Sequence, residues 1–148
     1  MERLHKFLRL SSTDRALLVK AVLLVGAVRV GLWLLPFRTW RRLLAKLTRA
    51  SSACQEGGRV PIDRVAWAVT GASRYVPAAT CLTQALATKV LLCRNGHPAS
   101  LHIGVARNEG GGFQAHAWVE SDGTVVIGGS GSQLERYTPL PAVGEKII

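Results

Sequence analysis

The spacing of apolar residues changes near Pro98, and this change constrains the fold more than any other feature of the chain. Upstream of Pro98, apolar residues recur at i, i+3, i+4 and i+7, as in an amphipathic helix. Downstream they alternate with polar or small residues, as in half-buried strands. Because helices come first and antiparallel strands follow, the order predicts an α+β fold.

Capping and proline residues divide the helical half into separate elements. They predict three helices: one from the cap residues Ser11–Asp14 to Pro36, one from Pro61 to Tyr75, and one from Cys81 to the stop signal Asn95–Gly96. A basic amphipathic segment, Arg38–Arg49, follows the first helix, and residues 50–60 are small and polar and predict a loop.

The alternating half predicts three strands, which are Leu101–Ala106, Phe113–Glu120 and Thr124–Ile127. The first two are joined by a loop over residues 108–112, and Asp122-Gly123 is a strong signal for a tight hairpin. The tail from Ser130 is rich in Gly, Ser and Pro, so we expect weaker structure there.

Basic residues are concentrated in the first third of the chain. Residues 1–50 carry 11 Lys and Arg against 2 acidic residues, a net charge of +9, whereas the other 98 residues carry a net charge of +1. We expect a basic, apolar helical segment at residues 1–50 and a core at residues 51–148, within one continuous domain. A basic segment of this kind is typical of proteins that bind nucleic acid, anionic lipid or an acidic protein. Of these we expect a protein partner or a membrane surface, and no nucleic acid.

The apolar run Ala16–Phe37 is long enough to raise the question of a membrane span. Lys20 and Arg29 interrupt it, and each costs roughly 2.5–3.5 kcal/mol at the centre of a bilayer. We therefore expect a buried or partner-facing helix first, interfacial lipid contact second and a span last. No secretory signal is evident, and three cysteines without paired spacing argue against a disulfide framework. The expected location is cytoplasmic, with membrane association as an addition.

Cys81 and His116 are candidate catalytic residues. A thiol attacks only as the thiolate, which a helix N-terminus and a neighbouring imidazole both favour. Cys81 opens the third helix, whose free backbone N–H groups suit an oxyanion, and His116 lies on the polar side of the second strand. The same residues equally fit a buried thiol and a packed strand histidine, so the pattern by itself leaves both interpretations open.

Several short motifs lie around this pair: Cys-Leu-x-x-Ala-Leu at 81–86, Leu91-Leu92 with Gly96, Ile-Gly-Val at 103–105, Ala-His-Ala-Trp-Val-Glu at 115–120, and Asp122-Gly123. Together they span about a third of the chain. In this stretch the chain resembles the leader peptidases of lasso peptide biosynthesis, a small bacterial family within the transglutaminase-like superfamily.

The resemblance implies a papain/transglutaminase-like cysteine protease core, in which a helix carrying the cysteine packs on a small antiparallel sheet, with N-terminal helices added. It implies a hydrolase that removes the leader from a lasso peptide precursor during ribosomal peptide maturation. Cys81 is then the nucleophile and His116 the general base and acid. The implied partners are the precursor peptide, a separate leader-binding protein and the ATP-dependent lasso cyclase. No cofactor and no metal are expected.

The family often has a third catalytic residue, an Asp twelve positions after the histidine, where this chain has Gly128. Asp122 is the nearest acid of that type, but it lies six residues past His116, roughly 20 Å along a strand. A backbone carbonyl, or a polar side chain such as Gln84 or Ser130, is an alternative for orienting the ring.

Two further residues are candidates for supporting the site. Trp118 shares the strand face of His116, and it either shields the imidazole and lines the substrate groove or simply packs. Gln84 lies in the first turn of the helix that begins at Cys81 and is a candidate for supporting an oxyanion.

Two other functions compete with leader cleavage. In the first, the chain is a catalytically inactive adaptor or membrane-associated scaffold of the maturation complex, which the missing Asp favours. In the second, it catalyses another acyl transfer, such as transglutamination or amidation, but nothing in the chain recognises an amine donor. Alkylation of Cys81 faster than of Cys54 or Cys93 distinguishes an active site from a scaffold.

Overall fold

The computed structural model describes residues 2–36, 38–39, 42–43, 46 and 60–140. Its helices are α1 Glu2–Leu8, α2 Ser12–Leu34, α3 Ile62–Ser73, α4 Cys81–Arg94 and α5 Gly131–Leu134. Its strands are β1 Ser100–Arg107, β2 Phe113–Ser121, β3 Thr124–Ile127 and β4 Thr138–Pro139. Helices therefore precede a small antiparallel sheet, and the predicted α+β fold is confirmed.

The long helix α2 begins and ends where its sequence signals lie. The side chain of Ser11 caps it by accepting a hydrogen bond of 3.1 Å from the backbone N–H of Asp14. It ends at Leu34, with Leu35 already extended, because a residue that precedes a proline is disfavoured in helical conformation. Helix α1 lies within the segment 1–50 that was expected to be helical, although its own bounds were not predicted. Most of the predicted segment Arg38–Arg49, and Cys54, lie outside the described residues.

Helices α2, α3 and α4 pack against one another and supply most of the core. Leucine, alanine and valine side chains make up the buried residues that α2 and α3 contribute to this core. The buried residues that these two helices contribute to the shared hydrophobic cluster are Leu17, Ala21, Val25 and Val28 on α2 and Val65, Ala68, Val69 and Ala72 on α3.

The sheet has the strand order β3-β2-β1-β4, with every neighbouring pair antiparallel. Its core face carries Leu101, Ala117 and Val119, which join the same hydrophobic cluster as the buried side chains of α4. Because successive side chains of a strand point to opposite faces, His116 and Trp118 lie on the other face of β2. A cysteine-bearing helix therefore packs on a small antiparallel sheet.

The tail from Ser130 contains only short elements, the four-residue helix α5 and the two-residue strand β4, which agrees with the weaker structure expected from its composition. Ser130 and Gln133 form a capping box around α5, and Leu134 is buried. β4 then pairs with β1 through the positions Gly104 and Val105. One buried leucine and a short strand pairing hold this segment, and both are tertiary contacts that leave no periodic signal in the sequence.

Candidate active site

Cys81 is the first residue of α4, and its neighbours fix that helix end. The side chain of Thr80 accepts a hydrogen bond of 3.3 Å from the backbone N–H of Thr83, and the carbonyl of Thr80 accepts one of 3.0 Å from Gln84. The N–H groups of Cys81 and Leu82 have no carbonyl four residues back within the helix. The helix start therefore presents two backbone donors beside a half-buried free thiol.

The turn that leads into Cys81 is strained. Ala78 has a φ of +58°, and the N–H of Ala79 bonds to the carbonyl of Val76 at 3.4 Å, which closes a turn with Pro77 at its second position. This left-handed conformation costs a non-glycine residue about 1–2 kcal/mol. Strain of this kind is concentrated at functional sites, where it fixes the direction in which the chain enters.

The imidazole of His116 is held by a backbone carbonyl. Its Nε2 lies 2.5 Å from the carbonyl oxygen of Gly128. A carbonyl only accepts, so Nε2 carries the ring proton and donates it, and in the neutral ring Nδ1 has a free lone pair. The structure thus fixes the tautomer in which Nδ1 is the unprotonated nitrogen.

Gly128 is required at its position for two reasons. Its φ is +107°, and a Cβ there would lie 2.5 Å from Cβ of Trp118 and 2.8 Å from the carbonyl oxygen of Ala117. An Asp at this position would meet the same contacts on this backbone. At the position where the resemblance implies an Asp, this chain therefore uses its main chain, instead of a side chain, to hold His116.

Aromatic rings cover His116 on the outer face of the sheet. Trp118 stacks on His116 with ring centroids 6.4 Å apart and on His102 at 5.5 Å. Tyr137 lies 5.3 Å from the imidazole centroid. Trp118 is only 4% exposed, and its Nε1 donates to Oε1 of Glu120 at 3.0 Å. Trp118 therefore packs as a spacer between two histidines and limits the rotation of His116.

Neither Tyr137 nor His102 was singled out in the sequence as part of this cluster. Tyr137 follows α5 in the tail that was expected to be weakly ordered, and no local signal marks it. His102 pairs with Trp118 across the antiparallel register of β1 and β2. That register is readable from the alternation pattern only once the strand pairing is known.

The structure does not bring Cys81 and His116 into hydrogen-bond contact. Cys81 packs against the core cluster, to which Ala117 and Val119 of β2 belong. His116 lies on the opposite face of that strand. Within the described part of the chain, the hydrogen bonds of the His116 ring include the one to Gly128 and none to Cys81.

The remaining candidates occupy other places. Asp122 is exposed at the tip of the β2–β3 hairpin with a φ of +50°, so it forms the turn instead of orienting His116. Ser130 caps α5, and Gln84 is half-buried in the first turn of α4. Among the alternatives for orienting the ring, the backbone carbonyl is therefore the one that the structure contains.

Cys93 lies near the other end of α4 and differs from Cys81 in its surroundings. Burial raises the pKa of the Cys93 thiol, and the positive charge of Lys89 offsets only part of that effect. A buried thiol with a raised pKa is a poor nucleophile at neutral pH. Cys93 is therefore a packing residue. Across residues 2–36 and 60–140, no group of three or more His, Cys, Asp or Glu side chains is placed to hold a metal.

Comparison with known proteins identifies the family. A family model described as the transglutaminase-like superfamily matches residues 22–142, which is well over half of the 148 residues. The chain therefore belongs to the transglutaminase-like superfamily, whose members are typically cysteine peptidases or transglutaminases. No curated protein and no solved structure matches the chain.

Proposed function

We propose that this protein is a cysteine peptidase that removes the leader from a lasso peptide precursor, with Cys81 as nucleophile and His116 as general base and acid. The observation that carries the proposal is the orientation of His116. Its Nε2 proton is held by the carbonyl of Gly128, so Nδ1 is the basic nitrogen of the ring. The family match supports the class of chemistry, and the sequence motifs around the pair support the substrate.

In the proposed reaction, Nδ1 of His116 takes the proton from Sγ of Cys81, and the thiolate attacks the scissile carbonyl carbon. The N–H groups of Cys81 and Leu82 stabilise the oxyanion of the tetrahedral intermediate. The imidazolium then returns its proton to the leaving amine as the C–N bond breaks. Water, deprotonated by Nδ1, cleaves the resulting thioester and restores the thiol.

The pair has to approach for this reaction to proceed. Catalytic hydrogen bonds are often long or poorly aligned in the absence of substrate and tighten in the substrate complex. The capped start of α4 and the hydrogen bond from the His116 ring to Gly128 support the two roles separately. Cys81, however, packs on the core side of β2, whereas His116 lies on its other face. We propose that peptide binding shifts the start of α4 relative to β2 and thereby brings Sγ of Cys81 to Nδ1 of His116.

Two measurements on the same proteins test the proposal. Wild type is expected to cleave a lasso precursor peptide, with a separate leader-binding protein present, and Cys81→Ala and His116→Ala are expected to remove the cleaved product from the mass spectrum. Cys81 is also expected to be alkylated by iodoacetamide faster than Cys93, and His116→Ala should slow that reaction at neutral pH. Cys54→Ala and His5→Ala, which change the same residue types elsewhere, serve as matched controls.

The second candidate is a catalytically inactive adaptor in the same maturation complex. The absence of a Cys81–His116 hydrogen bond in the described residues favours it, together with Gly128 in place of the family's Asp. It predicts equal alkylation of Cys81 in wild type and His116→Ala, and no cleavage by folded wild type. Cleavage that survives Cys81→Ala would contradict the peptidase proposal.

A further inference from the structure

Helix α2 exposes an apolar stripe along its whole length. Its members are spaced three or four residues apart, which places them on one side of an α-helix. They are Ala16, Val19, Leu23, Ala27, Val30 and Leu34, and all six are exposed. At about 1.5 Å per residue the stripe is roughly 27 Å long, far more than a scatter of single surface residues.

The opposite side of α2 is committed to the core. Ala21 and Val25 are fully buried, and Val28 is 1% exposed. The helix is long and apolar enough to cross a membrane, yet only 28% of its most apolar 18-residue window is buried in the fold, whereas the core helix of a soluble protein is mostly buried. If α2 spanned a bilayer, its buried side would lose its contacts with α3 and α4. While the fold is intact, α2 can therefore contact lipid only through its exposed side.

Positive charge lies beside the stripe and beyond its carboxyl end. Residues 1–50 carry a net charge of +9. Lys20 is exposed at the edge of the stripe, and Arg38, Arg42 and Lys46, which are spaced four residues apart, are exposed beyond the end of α2. Trp33, at the carboxyl end of the helix, is 77% exposed. Tryptophan favours the boundary between headgroups and acyl chains, and lysine and arginine favour anionic headgroups.

We propose that the exposed face of α2 docks on an anionic bilayer surface, with the helix lying in the plane of the headgroups. The stripe lies on the exposed side of a single helix and consists of aliphatic side chains, so it offers no polar group to specify a protein partner. A bilayer surface requires only apolar area and neighbouring positive charge, and α2 supplies both. This proposal does not depend on the peptidase activity, because none of these residues belongs to the candidate active site.

Vesicle flotation of the full chain tests the proposal. The probes are vesicles of phosphatidylcholine alone and of phosphatidylcholine with about one third phosphatidylglycerol. Wild type is expected to float with the anionic vesicles at low salt and to be released at about 1 M salt, where charges are screened beyond about 3 Å. The pair Leu23→Gln and Trp33→Gln is expected to lower the bound fraction at least about tenfold, since two exposed apolar anchors are lost.

A matched pair controls for the loss of apolar surface. Phe113 is 76% exposed and Leu140 45% exposed, and neither is near α2 in the sequence. Phe113→Gln with Leu140→Gln should leave flotation unchanged, and circular dichroism should show both double variants folded. Equal losses in the two pairs would overturn the proposal. The proposal would also be overturned if wild type bound neither kind of vesicle and eluted as a dimer, and the variant with Leu23→Gln and Trp33→Gln eluted as a monomer. In that case α2 would bind a second copy of the chain.

Discussion

At the scale of single residues, the site depends on what holds His116. A carboxylate would orient the ring and also balance the charge of an imidazolium, whereas the carbonyl of Gly128 orients the ring and supplies no full negative charge. The proposed enzyme therefore relies more on the fixed tautomer of His116 than on stabilisation of a thiolate–imidazolium ion pair. The spacing of twelve residues from His116 to Gly128 was visible in the sequence. The group that holds the ring was not, because residue identity does not show which main-chain carbonyl will accept a hydrogen bond.

Gly128→Ala tests this role of the main chain. The substitution combines an unfavourable φ with a Cβ too close to Trp118, so we expect it to lower the free energy of unfolding by about 2–4 kcal/mol. Gly123→Ala is the matched control, because Gly123 also has a positive φ but has open space around its Cβ position. We expect the control to cost about 1 kcal/mol. Urea denaturation measures both, and equal costs would contradict the steric argument.

At the scale of elements, an ion pair joins the start of α2 to α3. The carboxylate of Asp14 bonds to the guanidinium of Arg64, which also lies 4.7 Å from the ring centroid of Trp67. The hydrogen bond from Arg64 holds the pKa of Asp14 below its ordinary value of 3.8, and the hydrogen bond with Ser11 acts in the same direction. The pair therefore links the first turn of α2 to α3 at the surface.

Asp14→Asn should remove a pH-dependent part of the stability. Because the pKa of Asp14 is lower in the folded state, its contribution is present above pH 3.8 and is lost as the pH falls through the folded-state pKa. We expect wild type to exceed Asp14→Asn in unfolding free energy at pH 6 and the two to converge at low pH. Asp63→Asn makes the same charge change at an exposed position. Thermal unfolding across the acid range measures all three, and a difference that does not shrink at low pH would contradict the assignment.

At the scale of the whole molecule, the two sides of α2 differ in what they contact. One side completes the hydrophobic core with α3 and α4, and the other is the exposed apolar stripe. The family match begins inside this helix, at residue 22. The basic, apolar segment that the composition sets apart therefore includes a helix that packs into the core beside the cysteine-bearing helix.

Two identical substitutions on α2 separate these sides. Val25 is fully buried and Val30 is 52% exposed. We expect Val25→Ala to lower the free energy of unfolding of the whole chain by about 1–3 kcal/mol, since it leaves a cavity. Val30→Ala should stay within about 0.5 kcal/mol, because it removes no core contact and alanine favours a helix. Urea titration followed by circular dichroism measures both, and a Val30→Ala cost as large as that of Val25→Ala would show that the exposed side is packed.

The amino-acid sequence by itself determined the main helices and strands and the superfamily. Periodicity, caps and prolines act over a few residues, so they located α2, α3, α4 and the three long strands, and the motifs around Cys81 and His116 pointed to the transglutaminase-like superfamily. Only the tertiary structure decided the partner of His116, the aromatic cover from Tyr137 and the short elements of the tail after Ser130. It also showed which side of α2 is covered. Each of these depends on groups brought together from distant parts of the chain, and local patterns carry no information about such contacts.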